Sequence, residues 1–456
     1  MKSIDLSSPK VLRTCLRLAV PAMVAQLINV LYSIVDRIFV GNMQAVGDLA
    51  LAGVGVCAPV TTLITSFASL VGLGGAPVFA MCMGEGRNDN ARKILSNALI
   101  MLLVISALLT ALILPLLKPL LMTFGASENT YPYAEEYMLV YASGCVFAVL
   151  SAGLNQYITA QGYSGIAMAT VCIGAVANIA LDPLFIFTFD MGVTGAAAAT
   201  VLSQGLSTLF VVIFLLLPKT KVRLSLRSCS AKTMLHIVKM GLSPFFITAT
   251  DSIIIIVLNA VLQKYDGADG DMWVTVATIV QAFLSLITMP MLGITTGTQP
   301  VLAFNYGARN TALIKRAEKT IVLLCLCFTT LMFALSWGIA KPFVSLFTSD
   351  AVITQNSISG IRKYMIGIIP LALQYAFVDG LTGLGQPKFA FTLSITRKLV
   401  LLLSLTFALP ALFGVSAVFY AEPAADIGSA IVSTITFSCV IGKILKKREE
   451  STQNIV

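Results

Sequence analysis

The chain has 456 residues, of which 57% are hydrophobic and 11% charged, with a formal net charge of +9. Ordinary soluble domains carry about a quarter charged residues, and the apolar residues here come in blocks of roughly 20 or more, the length a helix needs to cross about 30 Å of hydrocarbon. Together these exclude a soluble globular protein, and the lack of short alternating apolar runs excludes a β-barrel.

The N-terminus "MKSIDLSSPKVLRTCLRLAV" is basic and runs straight into the first apolar block without a small-residue cleavage site. No removable signal peptide is expected. Hydrophobic runs broken by Gly, Pro and charge predict twelve spans, at 17–41, 51–81, 91–117, 134–158, 164–188, 193–217, 240–263, 273–303, 317–345, 362–384, 389–413 and 420–442. An even number puts both termini on one side. Of the 30 Lys and Arg, 22 lie in the N-terminal tail, the 82–93, 218–239 and 305–319 connections, Lys388 and the C-terminal "KILKKREE". The opposite connections hold few basic residues, and "DGADGD" at 266–271 is acidic. The positive-inside rule therefore predicts cytoplasmic termini. The net charge is a basic belt beside anionic lipid, with no nucleic-acid partner expected. The cysteines lie mostly within spans without metal-ligand spacing, as small core residues would. His236, the only histidine, sits in the basic 218–239 connection and reads as a surface group.

The two halves match at an offset of 223 residues. Pro21, Pro77 and Pro119 meet Pro244, Pro300 and Pro342, while Gly74, Gly84, Gly144 and Gly162 meet Gly297, Gly307, Gly367 and Gly385. Composition alone predicts about a fifth of one Pro–Pro match, so three indicate an internal duplication. Each half has six spans, so the lobes share an orientation and are related by an axis along the membrane normal, with substrate between them. The expected division is an N-lobe at 1–218, a connection at 219–239 and a C-lobe at 240–456.

The duplication separates scaffold from function, because Asp36 is matched by Asn259 and Asp182 by Leu405. Asn178 and Asp182 in "NIALDPLFIF" are four residues apart and share a helix face. Asp36 in "LYSIVDRIFVG" lies at a depth similar to that of Asp182, each about 19 residues into its span. Acids inside a membrane are costly and mark functional sites. An ionised Asp36 must take a proton, a sodium ion or a cationic substrate, unless Arg37 neutralises it. Asp379, with Arg397 and Lys398 on the next helix, is expected to form a structural ion pair. Glu422 and Asp426 flank Pro423 and could be interfacial or cavity-facing.

"VDRIFVG", "NIALDPLFIF" followed by "GAAAAT", "GLGQPK" and "LPALFGVSAVFYAEPAADI" resemble the multidrug and toxic compound extrusion (MATE) family, closest to its DinF-like branch. The resemblance runs over nearly the whole chain. It implies an all-α membrane protein of twelve helices in two six-helix lobes forming a V, and antiport of organic cations against Na+ or H+. Carried over, the N-lobe cation site is Asp36, Asn178, Asp182 and Thr200, whose carboxylate, amide and hydroxyl oxygens suit a hard cation such as Na+. Asp251 falls where the NorM-like branch has an acid of its C-lobe substrate or ion site, but the helix-ten acid of that branch does not align here.

The absence of GxxxxGK[ST], HExxH and Cys/His clusters argues against a nucleotide-driven pump or an enzyme. A channel or receptor would not need ion-coupling acids. The alternative is a flippase for a lipid-linked oligosaccharide, but the acidic lean of the intramembrane charges suits cationic cargo. The expectation is thus a multi-pass antiporter of the cytoplasmic membrane exporting amphipathic organic cations as a monomer, with no cofactor beyond the coupling ion.

Overall fold

The computed structural model describes residues 3–43, 47–218, 220–225, 229–265, 270–348 and 350–450. Among them the chain is helical, with no strand. Ten helices are long and apolar enough to cross a membrane. Two further pairs, Tyr131–Ser143 with Cys145–Ala160 and Ala351–Met365 with Ile368–Gly383, bend by 55° and 49°, and counting each as one span gives twelve. Arg227 and residues 266–269 of the acidic connection lie outside the described residues.

The spans do not always begin where the apolar run begins. Span seven starts at Ala231 rather than 240, which places the exposed His236 on a helix. Span ten starts at Ala351 rather than 362, because Asp350 Oδ1 accepts from the backbone N–H groups of Val352 and Ile353 at 2.7 and 2.9 Å. Such an N-cap satisfies donors that the helix itself cannot.

The duplication recurs in three dimensions. Helices Gly47–Gly84 and Gly270–Gly307 are both 38 residues long and keep the repeat offset at each end. In the turns after them, Gly86 and Arg309 are both left-handed, with φ of +75° and +61°. Gly144 and Gly367 separate the halves of the two bent spans. Gly162 and Gly385, with φ of +85° and +73°, close the helices Cys145–Ala160 and Ile368–Gly383. A Cβ at Gly162 would lie 2.6 Å from the Ile4 carbonyl oxygen, so glycine also admits the N-terminal segment there.

Two compact units result, one of Met1–Asp5 with Val24–Ala249, the other of Leu6–Met23 with Thr250–Val456. Compared with the expected lobes, the first part of span one is grouped with the second unit and the first part of span seven with the first. Pro21 and Pro244, equivalent in the repeat, lie within a few residues of these changes of membership. In the first unit, a Cβ on Gly72 would lie 2.9 Å from the Gly153 carbonyl oxygen, so these helices pack backbone to backbone. Tyr157, fully buried beside them, donates to the Val71 carbonyl at 2.9 Å. In the second unit, Gly293 meets Ala22 in the same manner, an added Cβ lying 2.8 Å from its carbonyl oxygen. Close approach of this kind at small residues drives helix association where lipid removes the hydrophobic contrast. All nine cysteines are free, five of them buried.

Candidate functional site

In the first unit, spans one, five and six bring Asp36, Asn178, Asp182 and Thr200 together. Asn178 Nδ2 donates to Asp182 Oδ1 at 3.1 Å and reaches Thr200 Oγ1 at 3.4 Å. The carboxyl groups of Asp36 and Asp182 approach within hydrogen-bonding reach of each other. Asp182 is fully buried and Asn178 nearly so, while Asp36 is half-buried and the neighbouring Arg37 exposed.

Local sequence explains the geometry. Asp182 precedes Pro183, which has no N–H to give the helix, and the π-helical turn Leu184–Thr188 follows directly. Turns of this kind interrupt the regular ladder and concentrate at functional sites. Gly195 lets span six approach that turn, since a Cβ there would lie 2.9 Å from the Phe185 backbone. Thr200 is thereby carried to Asn178.

Sequence reasoning missed the contribution of span four. Tyr137 lies beside Thr200, and Tyr141 beside Gln204. Tyr137 and Tyr141 are buried and their rings stack with centroids 6.0 Å apart. The pair of aromatic residues four apart in "YPYAEEYMLVYAS" was the available signal.

Several oxygens of this cluster have no donor: Asp36 Oδ1, Asp182 Oδ2, Asn178 Oδ1 and Gln204 Oε1. Among the described residues neither aspartate forms a salt bridge. Two carboxylates this close cannot both stay ionised without a cation between them. The cluster therefore fits a shared proton or one hard monovalent cation, held by both carboxylates and the Asn178 and Thr200 oxygens.

The second unit holds a different arrangement, and it corrects the expected ion pair. Asp379 does not pair with Arg397 or Lys398. Arg397 Nε donates to Asp426 Oδ1 at 2.7 Å and its NH2 to Glu422 Oε1 at 3.0 Å, with its guanidinium over the Tyr375 ring at 5.8 Å. Lys398 bridges Asp251. Asp379 Oδ2 instead accepts from Thr295 Oγ1 at 2.5 Å, and its backbone carbonyl accepts from Gln299 Nε2 at 3.0 Å. The cause is depth. Asp379 lies four residues before the end of its helix at Gly383 and Arg397 ten after the start of the next at Pro387, which at 1.5 Å per residue sets them about 9 Å apart in height. The π-helical stretch Thr396–Leu402 also turns Arg397 and Lys398 away from a regular helical direction.

Two units grown from one repeat, twelve spans, and an uncompensated carboxyl cluster within a span bundle define a duplicated polytopic transporter. The chain belongs to the MatE family, whose sequence profile matches residues 21–184 and again 244–408, once in each half. It is similar to the multidrug export protein MepA of Staphylococcus saprophyticus, 21% identical over 90% of this chain and 89% of that protein. It also resembles a multidrug resistance MATE family transporter of the MOP superfamily in an outward-facing conformation, at 26% identity and a TM-score of 0.91, covering 98% of this chain and 99% of that one. A MOP superfamily transporter from Pyrococcus furiosus, described as having a binding pocket of reverse polarity and a different function, gives the same identity and TM-score over 97% and 99%. The chain is thus a membrane transporter and not an enzyme.

Proposed function

We propose that this protein is a multidrug efflux antiporter of the cytoplasmic membrane, exporting amphipathic organic cations in exchange for Na+ or H+ by alternating access. Its family and the export role of its relatives support the efflux part. The coupling rests on one observation, that Asp36 and Asp182 converge with an orphaned oxygen on each and no salt bridge to either among the described residues. Coupling ion and organic cation compete for these carboxyls, so occupancy by one favours release of the other. Asn178 and Thr200 complete the ligand set, with Tyr137 beside Thr200. In the second unit the Lys398–Asp251 bridge leaves the Asp251 side chain 49% exposed, so Asp251 remains open to a cationic substrate or a second ion.

The lipid-linked oligosaccharide flippase is disfavoured by charge. The buried clusters of both units contain more acids than bases, which repels a pyrophosphate. Uptake of tetraphenylphosphonium into inside-out proteoliposomes, driven by an imposed Na+ gradient or pH gradient, tests the proposal. One gradient should drive accumulation and the other not. Accumulation that follows neither gradient would rule out antiport.

The orientation carries its own test. With the exposed native cysteines replaced, cysteine at His236 or Arg309 should label with impermeant maleimide only from the cytoplasmic side, and at Glu128 only from outside. A reversed pattern would invert the assigned topology.

A further inference from the structure

Glu318 is the most completely uncompensated acid in the second unit. In the sequence it stands among Lys315, Arg316 and Lys319 at the very start of the expected 317–345 span, but span nine begins at Thr311 and carries it two turns into the helix. Its three basic neighbours are exposed while Glu318 is only 6% exposed, and both of its carboxyl oxygens lack a donor. A buried carboxylate without hydrogen bonds or counter-ion is among the costliest groups a fold can hold.

The carboxyl group is aimed at span ten. A Cβ on Gly380 would lie 2.7 and 2.8 Å from Glu318 Oε1 and Oε2, so the glycine leaves room for the acid beside its neighbour Asp379. Asp379 lies close enough to act electrostatically on Glu318. The groups facing the pair from the packed elements are Thr295 and Gln299 on span eight, Cys325 on span nine itself and Cys15 on the 6–23 segment. None of them is a base. Among the described residues neither acid forms a salt bridge.

We propose that Glu318, beside Asp379, forms a second cation site, separate from the Asp36–Asp182 cluster, and that its ligand is a proton held on the Glu318 carboxyl group. The donor set selects the proton over a metal ion. Thr295 already occupies Asp379 Oδ2, Gln299 presents its N–H rather than its oxygen, and the remaining polar groups are thiols. Ca2+ and Mg2+ gather six or more oxygens, and here, unlike at the first cluster, no amide or hydroxyl oxygen joins the acids as a ligand. A proton needs only one carboxyl oxygen, and both oxygens of Glu318 lack a partner. Bound, it leaves a neutral acid packed against Gly380; released, it leaves a charge beside Asp379 in apolar surroundings that pushes spans nine and ten apart. The site thus makes the packing of the second unit responsive to pH, whichever ion drives transport.

Infrared difference spectroscopy on the purified protein in nanodiscs tests this, without transport as a readout. Titrating from acid to alkaline pH should show loss of a protonated-carboxyl C=O band that is unaffected by added NaCl. Glu318→Gln should remove one titrating carboxyl from that signal, and Asp36→Asn should leave it in place. Asp379→Asn should move the pH at which the band is lost, and it decides the matter if Glu318→Gln does not fold. An unchanged titration in Glu318→Gln or in Asp379→Asn, or a Glu318 band displaced by Na+, would overturn the proposal.

Discussion

Asp36→Asn is expected to reduce gradient-driven export of an organic cation to the level of empty liposomes while the protein still inserts and folds. The amide keeps the size and hydrogen-bonding capacity of the acid but cannot change charge. Asp182→Asn should do the same, because each variant leaves a single carboxyl that no longer has to share a cation. The double variant should be no worse than either single one, since residues that act as one unit do not contribute additively. Folding should be unimpaired or improved in all three, as each removes a buried group that lacks a partner. Proteoliposome flux and detergent melting curves measure the two effects separately. Residual gradient-driven flux in each single variant that only the double variant abolishes would mean that the aspartates act at different sites.

The second large effect is on stability. Arg397 is 5% exposed and joins Asp426, itself 2% exposed, and Glu422 in one buried network. Arg397→Met strands both acids, and breaking a buried pair in this way costs about 3–5 kcal/mol. The yield of monodisperse protein and its melting temperature should fall sharply. Adding Glu422→Gln and Asp426→Asn to Arg397→Met should restore most of the loss, since replacing a whole buried network by neutral groups is often nearly neutral. A normally stable Arg397→Met would mean that the acids are protonated or solvated without it.

Much of the fold could be read directly from the chain. Membrane spans are written in run length, and glycines of the repeat fall where the structure uses them: Gly84 and Gly307 end matching helices, and Gly144 and Gly367 mark the bends. Asn178 and Asp182 were readable because a spacing of four fixes a shared face within one helix. What the chain does not write down is the rotation of one helix against another. The approach of Tyr137 to Thr200 was therefore hidden, as was the choice of Asp426 over Asp379 as the partner of Arg397. Glu318 was hidden for another reason. It stands at the edge of the expected 317–345 span among lysines and an arginine, whereas the helix starts early enough to bury it alone among them.

Competition at the first-unit cluster is most directly measured by equilibrium binding of tetraphenylphosphonium to the purified protein across pH and Na+ concentration. A coupling free energy of about 1–3 kcal/mol corresponds to a roughly 5- to 150-fold change in affinity. The wild type should show a weakening of that order as the coupling ion, H+ or Na+, rises, and Asp36→Asn and Asp182→Asn should bind with an affinity independent of both. An ion-independent wild type, or variants that keep the full ion dependence, would contradict coupling through Asp36 and Asp182.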